Sequence, residues 1–154
     1  MRGILGSVGF VSLLLAAGQA FAACECPKAS LDDRIGGSAF IFSGRPVISV
    51  PIPPGSSPFH SEQSLEAPRA GQNDLVTLFR VDTMWKGEAR KMIRVRHEQG
   101  ECGAVFKTDV PAIIFATSDG NGVLWTWHCS GDAVDGDSAY QGLKESLTNR
   151  LHYN

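Results

Sequence analysis

In Met92-Ile93-Arg94-Val95-Arg96, Ile93 and Val95 alternate with charged neighbours, the period-two signature of a half-buried strand. Similar short runs recur on both sides of it. Ala39-Phe40-Ile41-Phe42-Ser43-Gly44 begins one, with residues 47–50 continuing or returning it, and residues 75–84 form another with Leu75, Leu78, Val81 and Met84 as apolar marks. Ala104-Val105-Phe106, residues 112–116 and residues 123–129 complete the set. Lys86-Gly87-Glu88, Gln99-Gly100-Glu101 and Asn121-Gly122 separate them, the last a favourable type I′ hairpin pair. Strands this short and this regularly punctuated predict a mainly β chain, a small barrel or sandwich.

Only the end of the chain carries a helical period. Tyr140, Leu143, Leu147 and Leu151 share roughly one face, Asp137 or Ser138 can cap, and Ser138 with Gln141 fits a capping box. Such a stripe needs a surface to cover, so the helix should pack on the barrel. Gly36-Gly37 reads as an isolated turn before the first strand. Residues 51–74 carry Pro51, Pro53, Pro54, Pro58 and Pro68 among Gly, Ser and charged residues, a surface loop first and a binding loop beside the barrel second.

The head of the chain changes the compartment. Met1 and Arg2 precede an apolar run over residues 8–17 that closes on Ala20-Phe21-Ala22, the small-x-small pattern of a signal peptide spanning residues 1–22. An uncleaved anchor is disfavoured because the run is shorter than the roughly 18 residues a spanning helix needs. A lipidated Cys24 is disfavoured because Phe21-Ala22-Ala23-Cys24 has no Leu three residues before the cysteine. Removing 22 of the 154 residues leaves 132, one domain over residues 23–154, expected in the periplasm or outside the cell as a monomer. Without Arg2, 13 basic side chains face 16 acidic ones, a balance that disfavours nucleic acid and anionic membrane surfaces.

Four cysteines, Cys24, Cys26, Cys102 and Cys129, imply two bridges in an exported chain. Pairing Cys24 with Cys26 would strain an i,i+2 loop, so both reach downstream, and two pairings stay open. Each would close a loop of about 80 to 105 residues, worth roughly 4 kcal/mol in the chain-entropy model. A zinc site is disfavoured, since one C-x-C and two scattered thiols lack the usual paired spacing.

Cys24-Glu25-Cys26-Pro27, the run from Ala39 to Gly44, Phe79-Arg80-Val81 leading into Trp85-Lys86-Gly87, then Cys102-Gly103 and finally Cys129, resemble in order the netrin-like module. Within it the likeness is to the inhibitory domain of tissue inhibitors of metalloproteinases (TIMP-like), and it covers most of the mature chain. The resemblance implies an OB-fold-like, five-stranded Greek-key barrel with a C-terminal α-helix and two disulfides, Cys24 with Cys102 and Cys26 with Cys129. The family's third inhibitory-domain bridge and its longer carboxy-terminal region have no counterpart here.

What the resemblance implies about function is inhibition of a zinc metalloprotease through the edge formed by Cys24, Glu25, Cys26, Pro27, Cys102 and Gly103. In the family the first residue is the cysteine, whose amine and carbonyl chelate the target's catalytic zinc at its open position. Here the best cut leaves Ala23 ahead of Cys24, which makes that amine an amide, and Glu25 would carry a carboxylate into the specificity pocket. The alternative is a non-inhibitory interaction module that binds another extracytoplasmic protein or a glycan.

No enzymatic reading gains comparable support, and no cofactor or intrinsic metal is expected. His97-Glu98-Gln99-Gly100-Glu101 echoes H-E-x-x-H without its second histidine and reads as a surface turn. His60, His97, His128 and His152 share no ligand spacing and read as solvated or locally bonded side chains. Asp132, Asp135 and Asp137 suggest calcium only weakly, because their spacing misses the EF-hand pattern. No serine has a G-x-S-x-G setting. Phe40, Phe42, Phe79, Trp85, Trp125 and Trp127 read as core and rim rather than as base-stacking platforms.

Overall fold

The computed structural model describes residues 26–52, 74–98, 103–118 and 124–151. Its elements are α1 (Leu31–Gly37), β1 (Phe40–Pro51), β2 (Asp74–Lys86), β3 (Met92–Glu98), β4 (Ala112–Ser118), β5 (Leu124–Thr126), a 3-10 turn (His128–Ser130), β6 (Ala133–Val134) and α2 (Tyr140–Leu151). Of the sequence expectations, Asn121-Gly122, Gln99-Gly100-Glu101 and the loop interior 53–73 lie outside the described residues.

The strands run β1-β2-β3-β5-β4, and β4 pairs back to β1, which closes a five-stranded barrel; β6 adds to β4. All these pairings are antiparallel except β3 with β5. Closure depends on β1 being one long strand. Its first half pairs with β4 from Phe40↔Ala116 to Gly44↔Ala112, and from Ile41↔Lys86 to Pro51↔Leu75 it pairs with β2 through register shifts that bend it. Residues 47–50 therefore continue the first strand rather than returning it. At Gly44 a Cβ would lie 2.7 Å from the Arg80 carbonyl oxygen, so the close approach of β1 and β2 at this bend requires glycine.

Period-two alternation sorts the side chains to the two faces. Phe42, Phe79, Ile93, Val95, Ile114, Ala116 and Leu124 fill the barrel, with Phe42 and Phe79 edge to face at 5.7 Å. The opposite face of β1 and β4 presents Ile41, Ile113 and Phe115 to the helices, where Trp85, Tyr140 and Leu147 complete a second cluster. Trp85 Nε1–H donates to Thr148 Oγ1 at 3.2 Å, so α2 docks as its stripe predicts.

Three local expectations are corrected. Ala104-Val105-Phe106 is not a strand; Val105 is 71% exposed, and only Phe106 turns inward, edge-on to Phe79 and His97. Gly36-Gly37 is the end of α1, which a Ser30–Asp33 capping box begins: Asp33 N–H donates to Ser30 Oγ, and Ser30 N–H to the Asp33 carboxylate. α1 is about two helical turns long, and its seven residues carry too short a stripe to show a period. At α2, the Asp137 carboxylate accepts the Val134 N–H, so it serves the preceding turn and not the helix start.

Candidate functional site

The amino-terminal segment is fixed to the barrel by one described covalent bond. Cys26 and Cys129 form a disulfide with Cα atoms 5.2 Å apart. Cys26, Pro27 and Lys28 are exposed, and the chain then enters α1 at Ser30. α1 is held from several sides. Leu31 and Ile35 pack on the outer cluster, Lys86 Nζ donates to the Ile35 carbonyl at 2.6 Å, and Asp32 pairs with Arg150 of α2. The segment that leaves Cys26 thus has a fixed base.

The other half of the bond sits on the 3-10 turn. Trp127 and Ser130 bond each other, Trp127 N–H to Ser130 Oγ at 3.1 Å and Ser130 N–H to the Trp127 carbonyl at 2.9 Å. Gly131 follows with φ +93°, a left-handed conformation, and a side chain there would collide with Arg34. Asp132 then turns back into the barrel wall. Its Oδ1 accepts the Phe115 N–H and its Oδ2 lies 2.7 Å from Thr126 Oγ1. The residue as a whole is half-buried, but its carboxylate is enclosed, and burial pushes its pKa up to about 7 against the opposing pull of those two bonds.

The resemblance-derived edge is thereby placed in part. Cys26 and Pro27 are at the surface beside the staple, and Gly103 is half-buried at the start of the segment leading to Phe106. Cys24, Glu25 and Cys102 lie outside the described residues, and with them the Cys24–Cys102 bridge. His60 and His152 lie outside them too.

Two sites differ from the sequence reading. His97 is not in a surface turn: it is 2% exposed, inside β3, where period two directs it into the barrel. Its Nε2 is 2.7 Å from Thr77 Oγ1, which is 2.7 Å from Ser49 Oγ, so a chain of hydrogen bonds crosses β1, β2 and β3. Burial pushes the His97 pKa down, against the opposing effect of the Glu98 and Ala104 backbone, and Nδ1 is buried without a hydrogen-bond partner among the described residues. The alternation that ends at Ile93 and Val95 extends one step further to His97, a signal present in the sequence. The acidic trio does not converge on a cation: Asp132 is taken by β4 and β5, Asp137 by Val134, and no metal-ligand cluster occurs among the described residues.

A second surface lies on the outer face of the sheet. The registered row Val50, Val76, Arg96, Trp125 and Thr117 crosses five strands, with Ile48, Leu78 and Arg94 in the next row. Ile48, Val50 and Trp125 are exposed, Trp127 beyond them is 39% exposed, and Arg96 pairs with Asp74. No helix among the described residues is long and apolar enough to cross a membrane. Compared with known protein families and with curated proteins, the chain matches none.

Proposed function

We propose that this chain is an exported, non-enzymatic binding protein of the netrin-like kind, whose disulfide-clamped amino-terminal edge inhibits a zinc metalloendopeptidase. The observation that carries the reading is the Cys26–Cys129 staple, which holds an exposed leader segment against a closed barrel and backs it with α1. The strand order β1-β2-β3-β5-β4, with β3 parallel to β5 and closure through β1, supports an OB-type barrel as the scaffold. A rigid edge is what this chemistry requires. A ligand that displaces zinc-bound water gains most when its donors are held in place before binding.

In this mechanism the Cys24 amine and carbonyl oxygen ligate the target's zinc, so Cys24 must be the first residue of the mature protein. Amino-terminal sequencing of the exported protein tests that requirement, and titration against zinc peptidases tests the activity. Acetylating the amine of a Cys24-initiated protein abolishes inhibition; undiminished potency rejects the mechanism.

The outer-face row from Val50 to Trp125 favours a second reading, a non-inhibitory module that binds an extracytoplasmic protein through the barrel. An Ala23 start with retained partner binding, lost on Trp125→Ala, selects it.

A further inference from the structure

One edge of β4 is paired in two pieces. β5 covers Thr117 and Ser118, β6 covers Ala112 and Ile113, and between them the chain leaves the sheet to make the turn that carries Cys129. Adjacent peptide groups of one residue in an antiparallel strand point to the same edge. Phe115 turns both of its groups into this gap. Its N–H donates to Asp132 Oδ1 at 2.7 Å, and its carbonyl accepts from Thr126 Oγ1 at 3.1 Å. The third side of the triangle is the 2.7 Å contact of Thr126 Oγ1 with Asp132 Oδ2. A side chain thus stands in for the missing strand.

Counting protons identifies the state that suits this geometry. A threonine hydroxyl has one proton to give. With Asp132 ionised, its Oδ2 and the Phe115 carbonyl compete for that proton, and one acceptor of the three-membered set goes without. With Asp132 neutral, Oδ2–H donates to Thr126 Oγ1, Thr126 donates to the Phe115 carbonyl, and the Phe115 N–H donates to Oδ1. The ring then closes with every group satisfied, and the enclosure of the carboxylate acts in the same direction.

We propose that Asp132 is an acid-tightened latch: as a neutral carboxylic acid it closes the Phe115–Thr126–Asp132 ring and holds the Cys129 turn, with the amino-terminal segment bonded to it, against β4, and its ionisation loosens that hold. β4 and β5 bring no charged side chain to it. α1 brings Arg34, which packs over Gly131 with Nε buried and without a hydrogen bond, β3 brings His97, paired in register with Thr126 through the backbone, and the turn itself contains His128. On the far side of β6 are Asp135 and Asp137, and α2 adds Tyr140. Among the described residues no ion pair holds the Asp132 carboxylate in its charged form.

The sign follows from linkage. Asp132 has a higher pKa in the closed turn than in an open one, so the hold is complete below the ordinary value of 3.8. It weakens as pH rises from there to about 7 and is constant above. Asp132→Asn provides the reference, because its amide offers an oxygen to Phe115 N–H and an N–H to Thr126, copying the neutral acid at every pH.

The experiment uses the full exported chain. Side-chain carbon NMR follows the Asp132 carboxyl, and amide hydrogen exchange follows Phe115 and the Cys129 turn from pH 4 to 9. The ratio of wild type to D132N at each pH cancels the intrinsic base catalysis of exchange. The latch predicts a carboxyl titrating at about 7 and an exchange ratio that climbs by up to about tenfold per pH unit before levelling off near neutrality. Phosphine reduction of Cys26–Cys129, taken as the same ratio, rises over the same range. A carboxyl that titrates in the ordinary range overturns the proposal even if D132N fails to fold, and so does an exchange or reduction ratio that is flat with pH.

Discussion

Cys26 is bonded to Cys129 across 103 positions of sequence, so the start of the described chain and the turn after β5 move as one body. A crosslink of that span restricts the unfolded chain strongly. The double variant C26A/C129A is expected to lose up to about 4 kcal/mol in denaturant titration, less if the native turn relaxes. An unchanged midpoint contradicts a structural staple.

α2 is held by burial more than by its single indole bond. Leu147 is fully buried among Ile41, Trp85, Ile113 and Phe115, and Leu147→Ala is expected to cost about 2–5 kcal/mol. Thr148→Val removes the acceptor for Trp85 Nε1–H together with the hydroxyl's own bond to the Lys144 carbonyl within α2, and is expected to cost about 1 kcal/mol. Equal losses from the two changes would mean that α2 is not packed as described.

His97 makes the fold sensitive to acid. Its pKa is lowered in the folded state by burial, so its contribution to stability is present above the ordinary value of 6.5 and is lost as pH falls through its folded value. Asp132 acts in the opposite sense over an overlapping range, so the two must be separated by difference. The stability of wild type minus that of His97→Gln, from urea titrations between pH 8 and 5, is expected to decline below pH 6.5. A constant difference means His97 is solvated.

Gly44 fixes the bend that lets β1 serve both β2 and β4. A methyl group there meets the Arg80 carbonyl at 2.7 Å, an approach that only backbone movement can relieve. Gly44→Ala is expected to lower the melting temperature by several degrees, as a loss of about 1–3 kcal/mol requires in a chain of this size.

The barrel was legible where alternation is strong and uninterrupted, as along Ile93 and Val95, and α2 was legible from Leu143, Leu147 and Leu151. α1 was not, because seven residues give a helical period too little length and its Ser30–Asp33 box has Asp where the pattern usually has Glu or Gln. Ala104-Val105-Phe106 misled because an apolar triplet has no partner written in it, and here no strand lies beside it to take up its hydrogen bonds among the described residues. Cys26 was legible as half of a long-range bridge. Asp132 was not, since its role depends on a gap between β5 and β6 that exists only once β4 has both neighbours.

The proposed inhibition requires that the stapled amino-terminal edge block a zinc peptidase. Active-site titration of purified zinc metalloendopeptidases with the native protein and with C26A/C129A is the sharpest check. Stoichiometric loss of activity is expected with the native protein, and a large weakening when the staple is removed. Full activity of every peptidase at saturating protein, or equal inhibition by both forms, would contradict it.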